Sequence, residues 1–421
     1  MTTETDFIPR KLETKLDSFL DRDEVIAITG PRQVGKTTLV KRMESKLENQ
    51  GKQVKYLTFE DREQMKLFRD EQAFKQEIEQ FDVVIIDEFQ YADEGGRKLK
   101  FLYDTTNIKF IITGSSSLDL IFSTGKYMVG RMFTFNLYPF SFREFLRAKD
   151  KRTFEMVEDR FSNPLDKFDS SQSFGEAING RLEDFFEEYI IYGGYPEVVK
   201  AKKEQKKKIL QDLFNLYLKK EINGLLQLAG DDNLVKLAES LSAQIGELVS
   251  YNNLSELSGL KYKKLKKYLN ILEETYVINL IRPFFTNRQK EIVKNPVAYF
   301  LDTGLRNYLV DDFREFRLRN DVGTLVENFV YMRLKEKFST GFNNIKYWRS
   351  KAGAEVDFTV KTEGQQIPIE VKYRNDPTPG KSFYSFLRKY EPEEGYVLTK
   401  GKSKVMEAEG ARINFVPVWY L

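Results

Sequence analysis

The chain predicts an α/β fold: a parallel sheet at its amino end, then a helical and winged-helix region, then a smaller carboxyl-terminal α/β domain. Three observations predict it. Between about residues 20 and 140 short apolar runs alternate with helical patterns, the rhythm of a parallel sheet covered on both faces. Gly30-Pro-Arg-Gln-Val-Gly-Lys-Thr37 follows one such run directly and precedes a helical stretch directly. From Asp321 onward the order is helix, three strands, helix, strand.

The strands expected in the first region are 25–29, 53–59, 82–87, 108–113 and 132–138, with helices beginning near 36, 62, 96 and 117. Val25-Ile-Ala-Ile-Thr29 and Asp82-Val-Val-Ile-Ile-Asp87 are short and apolar, as strands buried on both faces should be. Gly30 to Thr37 fits G-x-x-x-x-G-K-[ST] in its strand–loop–helix setting, a phosphate-binding loop. The residue types follow from the chemistry. Gly30 and Gly35 let backbone N–H groups curl around an anion, and Pro31, Arg32, Gln33 and Val34 span the loop between them. The helix that starts near Lys36 points its positive end at the same anion. Lys36 is expected on the β- and γ-phosphates, Thr37 on Mg²⁺, and Thr38 completes the loop.

Asp87 ends a strand, where a carboxylate contacts the Mg²⁺ shell, and Glu88 beside it is placed to polarise an attacking water. Ile108-Lys-Phe-Ile-Ile-Thr-Gly-Ser115 is another buried strand. Thr113 or Ser115 at its end is either a γ-phosphate sensor or, at 115–117, a plain helix cap. Arg131 is either an arginine finger or a surface arginine that opens a strand.

Composition excludes whole classes of chemistry. Zero Cys removes disulfides and thiol metal sites, which suits a cytoplasmic chain. Zero His removes serine triads, His-ligated zinc and histidine bases. Any catalysis must therefore use carboxylates, Lys, Arg, hydroxyls and a hard cation such as Mg²⁺. No apolar run is long enough for a membrane helix, and the acidic start lacks a signal-peptide core, so neither membrane nor secretion is expected. A net charge of +3 is too small to announce nucleic acid, but its distribution is uneven. Lysines crowd residues 200–208 and 261–267; the first cluster reads as a solvated helix face.

Four regions are expected: 1–145, 146–232, 233–294 and 295–421. The second is helical and charged, broken sharply at Tyr192-Gly-Gly-Tyr-Pro-Glu197. In the third, helices are expected at 233–250, 253–259 and 262–274, followed by a hairpin of 276–281 with 291–293. That order is a winged helix-turn-helix, with Lys261, Lys263, Lys264, Lys266 and Lys267 as phosphate contacts to DNA. Packing against neighbours or an oligomerisation lid is the plainer alternative.

In the fourth region, residues two apart on a strand share a face, so Glu370 and Lys372 point together. With Asp357 at the end of the adjacent strand, Asp357 and Glu370 can ligate one Mg²⁺ and Lys372 can hold the attacking water. Glu327, from the preceding helix, is the accessory acid. The element order resembles the core of PD-(D/E)xK nucleases. A non-cleaving remnant, with acids that only bind metal or pair with lysine, is the alternative.

The motifs also resemble, as a set, the prokaryotic AAA-type P-loop ATPases known as archaeal-type, which end in a domain of unknown function. The carrying residues are Gly30–Thr38, Ile85–Gln90, Thr113–Ser117, Gly130-Arg131 and Leu137–Phe145. Downstream they are Tyr192–Glu197, Phe300–Leu305, Gly323–Phe329, Tyr347–Asp357 and Ile369–Lys372. The resemblance implies ATP binding and hydrolysis, a DNA-binding type of winged helix, and a nuclease-like end domain. The expected function is an ATPase that acts on DNA, with ATP and Mg²⁺ as cofactors and a homo-oligomer as the assembly that ring-forming ATPases of this type suggest. A non-cleaving ATP switch on DNA and an ATPase working on protein partners are the alternatives.

Overall fold

The computed structural model describes residues 7–115, 124–216, 232–285, 291, 294–338, 344–362 and 364–421. The chain forms two compact units, one of 1–140 with 274–276, the other of 141–273 with 277–421.

The first unit is built on five strands, β1 (Val25–Thr29), β2 (Val54–Thr58), β3 (Val83–Asp87), β4 (Lys109–Gly114) and β5 (Met132–Asn136). Their order is β2-β3-β4-β1-β5, and every pairing is parallel. All residues of β1 and β3 are buried, as expected of apolar runs covered on both faces. The order puts β4 between β1 and β3, so the carboxyl ends of these three strands lie side by side. Helix Lys36–Asn49 buries Leu39, Val40, Met43 and Leu47, one face at helical spacing. The helix expected from 62 is two helices, Arg62–Leu67 and Glu71–Ile78. Asp70 causes the break, since its carboxylate accepts the N–H groups of Gln72 and Ala73 and caps the second helix. The helix expected near 117 lies outside the described residues.

Tyr276, where the chain returns to this unit, has φ +60°. Its hydroxyl lies 2.7 Å from Thr29 Oγ1 and 3.0 Å from Asn136 Oδ1, at the ends of β1 and β5.

The second unit begins with helices, among them Phe142–Lys149, Glu176–Tyr192 and Lys203–Phe214. Helices Asp232–Ala243, Tyr251–Ser258 and Tyr262–Glu274 then lead into strand β6 (Ile278–Ile281). The antiparallel partner of β6 is β7 (Val297–Phe300); of the expected partner 291–293, Glu291 is helical and residues 292–293 lie outside the described residues. Four consecutive buried residues make Val297–Phe300 the stronger strand. The remaining strands are β8 (Ile345–Arg349), β9 (Glu355–Thr362), β10 (Gln365–Lys372), β11 (Glu394–Thr399), β12 (Lys404–Ala408) and β13 (Ala411–Pro417). They form one mixed sheet in the order β12-β13-β11-β10-β9-β8. Helices Val322–Lys337 and Lys381–Tyr390 both pack on β10. The expected run of helix, three strands, helix and strand is present, extended by a β12–β13 hairpin that the sequence reading did not contain. Among the described residues no helix is long and apolar enough to cross a membrane.

Two motifs carried by the resemblance meet inside this unit. Asp302 caps helix Thr303–Leu309 by accepting Leu305 N–H at 2.8 Å, and it accepts Gly194 N–H at 2.8 Å. Gly193, at φ +78°, has no room for a side chain, because a Cβ would stand 2.3 Å from Asp302 Oδ1. Asn307 donates to the carbonyls of Ile190 and Ile191, and Arg306 to the carbonyl of Ser242. Burial pushes the Asp302 carboxyl up to about 6, against three backbone N–H groups that pull it down. The folded state therefore holds this proton where the unfolded chain has lost it. The resulting stabilisation is complete below the ordinary carboxylate value near 4 and disappears as pH rises through 6. Across that window the loss is at most about 1.4 kcal/mol per pH unit. Urea unfolding at pH 4.5 and 7 should show it in the parent and lose it in Asp302→Asn. Equal pH dependence in the two proteins would refute the assignment.

Candidate functional site

The loop at the end of β1 has the backbone of an anion cradle. Gly30 has φ +152°, and a Cβ there would stand 2.0 Å from the carbonyl oxygen of Leu137, so only glycine fits. Gln33 at φ +61° and Gly35 at φ +95° are left-handed, whereas Val34 between them is not. Alternation of this kind turns successive N–H groups toward one concavity. Gly35 is the N-cap of helix Lys36–Asn49 and brings no capping side chain, so the amides of the first turn remain for an anion. Pro31 and Val34 are buried, Arg32 is half-buried with Nη2 donating to Tyr91 Oη at 3.2 Å, and Gln33 and Thr38 are exposed.

Lys36 is buried and folded onto its own loop, donating to the carbonyls of Gly30 at 2.8 Å and Pro31 at 2.9 Å. Burial pulls its ammonium down to about 8, while Glu88 and Asp87 pull it back up. A triphosphate offers this group better acceptors than two neutral carbonyls.

Asp87 is a meeting point of strands. Its Oδ2 accepts Thr37 Oγ1–H at 2.6 Å and the Tyr56 hydroxyl at 3.0 Å, and its Oδ1 accepts the Thr113 hydroxyl. Burial, then the Asp87 charge, hold the Tyr56 phenol protonated, its pKa raised far above the ordinary value. Glu88 has φ +56°, a strained conformation for a side-chain-bearing residue. Its N–H donates to Thr113 Oγ1 at 3.0 Å, and its Oε2 accepts Gln90 Nε2–H at 2.5 Å. Gln90 Nε2 also reaches Ser115 Oγ at 3.2 Å. Lys36, Thr37, Asp87, Glu88 and Ser115 are thus brought together. Thr113 is engaged on Asp87 and on the Glu88 backbone, which positions the acids.

Arg131 is not part of this group. Its carbonyl accepts Val25 N–H at 2.9 Å, at the start of β1, and its Nε donates to Asp104 at 3.1 Å. A five-residue strand, roughly 17 Å, separates that edge from the loop. The cause is topological: parallel strands begin on the edge opposite the site, and Arg131 directly precedes β5. A role at a nucleotide would need a second copy of the chain.

Sequence reasoning missed Tyr56, Gln90 and Arg10. Tyr56 was legible only as a strand residue, and Gln90 stood in the quoted Ile85–Gln90 stretch without a role. Arg10 donates to the carbonyls of Val34 at 2.8 Å and Tyr138 at 2.6 Å.

In the second unit, Asp357 and Glu370 lie one step beyond the paired residues Phe358 and Ile369 of the antiparallel β9–β10 pair. Directly opposed residues share a face, and Lys372 shares it with Glu370. Asp357 Oδ2 accepts Val371 N–H at 2.7 Å. Glu370 accepts Gly380 N–H at 3.0 Å and pairs with Lys372 at 3.0 Å. Glu327 Oε1 accepts the Tyr299 hydroxyl at 2.5 Å. Burial first, and the Asp357 charge second, push the Glu327 carboxyl well above the carboxylate range; burial raises Asp357 as well. All four expected residues therefore share one electrostatic cluster. Each acid already holds a hydrogen-bond donor, and among the described residues no group of three or more acids is arranged to hold a metal ion.

The five lysines Lys261, Lys263, Lys264, Lys266 and Lys267 are all exposed on helix Tyr262–Glu274 or just before it. Leu265, Tyr268, Leu269, Ile271 and Leu272 are buried on the helix's opposite face.

Residues 22–146 match the family described as AAA domain. Residues 183–315 match a domain of unknown function (DUF8612), and residues 322–421 match another (DUF4143). An uncharacterised protein of Haemophilus influenzae is 24% identical over 427 residues, covering 97% of this chain and 96% of that protein. Another, MJ1637 of Methanocaldococcus jannaschii, is 26% identical over 384 residues, covering 86% and 78%. Among solved structures, the replication initiator DnaA bound to AMPPCP and single-stranded DNA is 13% identical. It overlaps at a TM-score of 0.32, covering 64% of this chain and 91% of that chain, too slight a likeness to carry an argument. The AAA match takes in all five strands of the first sheet and the loop on β1, so the first unit is similar to an AAA domain over these residues.

Proposed function

We propose that this protein binds ATP with Mg²⁺ on Gly30–Thr38, hydrolyses it with Glu88 as the water-activating acid, and uses the nucleotide state to act on DNA. The observation that carries the ATP reading is the 2.6 Å pair of Thr37 Oγ1 and Asp87 Oδ2 beside the buried ammonium of Lys36. A hydroxyl and a carboxylate so close are a hard-oxygen donor set that suits Mg²⁺. Held by Thr37 and Asp87, the cation would supply charge neutralisation for the phosphates. Lys36 leaves the loop carbonyls for the phosphates, Gly35 and the first helical turn present their amides, and Glu88 takes the proton of water. Gln90 holds Glu88 in place before that step. Calorimetric titration of the full chain with ATP in Mg²⁺ tests the reading, and a folded sample that gives no heat refutes it.

The DNA reading is supported by three helices followed by the β6–β7 hairpin, a winged-helix order, with lysines on the exposed face of the third helix. Replacing the five lysines by Gln is expected to flatten the dependence of log affinity on log salt by up to about 4.5 on duplex, since each phosphate contact contributes roughly 0.9. Fluorescence anisotropy on duplex and single strands reads this directly. An unchanged slope would favour an ATPase that works on protein partners.

A second reading, cleavage in the second unit, is favoured by the convergence of Glu327, Asp357, Glu370 and Lys372. Asp357 and Glu370 would hold Mg²⁺ once Glu370 turns from Lys372. The same DNA incubated with Mg²⁺ decides it: scission abolished by Asp357→Ala supports cleavage, and intact DNA supports a binding remnant.

A further inference from the structure

Arg10 precedes helix Lys11–Asp17 and lies outside every motif quoted above, yet its guanidinium is buried against the phosphate loop. Nη1 donates to the Val34 carbonyl at 2.8 Å, Nη2 donates to the Tyr138 carbonyl at 2.6 Å, and the group lies 4.8 Å from the Phe140 ring centroid. We propose that Arg10 is a positioning residue that presets the loop for an anion by holding the 34–35 peptide in one orientation. This rests on the ATP reading of the same loop.

The argument is geometric. A trans peptide is planar, so the carbonyl of Val34 and the N–H of Gly35 point in opposite directions. A charged donor that fixes the carbonyl outward fixes the N–H inward, toward the concavity. Gly35, left-handed at φ +95°, closes that peptide, and glycine is the residue that would most readily abandon such an orientation. Arg10 is itself anchored. Its own N–H donates to Glu13 Oε1 at 2.7 Å, and Glu13 Oε2 accepts from Arg42 at 3.1 Å on the helix that follows the loop. Asp17 pairs with Lys46 of the same helix at 2.6 Å. The donor and the loop are thus braced on one element. The bidentate reach to two carbonyls needs a planar fork, which lysine lacks.

The test uses the full chain as parent, Arg10→Ala and Arg10→Lys, each checked for an unchanged melting profile. In nucleotide-free protein, hydrogen exchange of the peptide covering 30–37 should speed up in both variants, more in Arg10→Ala. Affinity for AMPPCP in Mg²⁺ should fall by about 10- to 100-fold in Arg10→Ala, the size expected for a charged hydrogen bond. Added guanidinium ion should restore part of that loss in Arg10→Ala and none in Arg10→Lys, whose side chain fills the site. Unchanged loop exchange in the folded Arg10→Ala protein would overturn the inference. If the parent itself fails to bind AMPPCP, the ATP reading falls, and the exchange result alone still decides the role of Arg10. Were Arg10→Ala to unfold, faster loop exchange in the folded Arg10→Lys would support the inference, and parent-like exchange would overturn it.

Discussion

Glu88→Gln is expected to keep ATP bound within a few-fold of the parent while turnover drops by about 10²- to 10⁴-fold, the range of a lost general base. The two side chains match in shape, so the left-handed backbone at 88 and its bond to Thr113 are retained. What changes is basicity: an amide oxygen accepts a hydrogen bond from water but cannot take its proton. Lys36→Ala should fail differently. Removing the ammonium takes away the loop's own internal donor and the charge that faces the phosphates, so binding is lost along with turnover. Phosphate release measured beside calorimetry separates the two. Parent-rate hydrolysis by Glu88→Gln would place the water-activating acid elsewhere.

Gly304→Ala should damage the second unit severely. A Cβ on Gly304 would stand 2.0 Å from the carbonyl oxygen of Tyr192, 2.4 Å from its carbon and 2.8 Å from Gly193 N. All three atoms are backbone, and Asp302 and Asn307 hold the same segment through Gly194, Ile190 and Ile191, so nothing there yields cheaply. A loss of about 3 kcal/mol or more is expected, at or beyond the upper end of overpacking costs. Gly323→Ala is the control. It lies in helix Val322–Lys337 with no atom within 4 Å of the new Cβ, and alanine there should be neutral or stabilise by up to about 1 kcal/mol. Urea unfolding of the two variants should differ widely in midpoint, and similar midpoints would show that the 192–194 turn gives way.

The centre of the first sheet was legible because β1, β3 and β4 are buried on both faces, which writes each largely as an apolar run, whereas the edge strands β2 and β5 are only partly buried. The loop was legible because the phosphate-loop pattern restricts residue types at Gly30, Gly35, Lys36 and Thr37. The residues around Asp87 were not. Tyr56 sits on β2 and Thr113 on β4, and only the strand order makes them neighbours of Asp87. Arg10 is separated from Val34 by 24 positions and resembles any surface cation on a short helix. The hairpin partner was misplaced for a related reason. The bonds from Val249 N–H to the Pro296 carbonyl and from Gly246 N–H to the Ala298 carbonyl hold Val297–Phe300 from its other side, a tertiary preference no local pattern records. Glu370 and Lys372 could be assigned to one face from strand periodicity, and Asp357 joined them only through an assumed strand pairing; the tyrosine on Glu327 could not be foreseen.

The brief return of the chain to its first unit at 274–276 bears on how the protein can be dissected. A truncation that stops at Phe140, the obvious place to isolate an ATP-binding fragment, discards the Tyr276 phenol. Thr29 and Asn136 would then share one hydrogen bond of 2.7 Å where three groups met before, directly ahead of Gly30. Such a fragment would carry every recognisable motif residue and still lack a brace of its own loop, so studies of nucleotide chemistry belong on the uncut polypeptide.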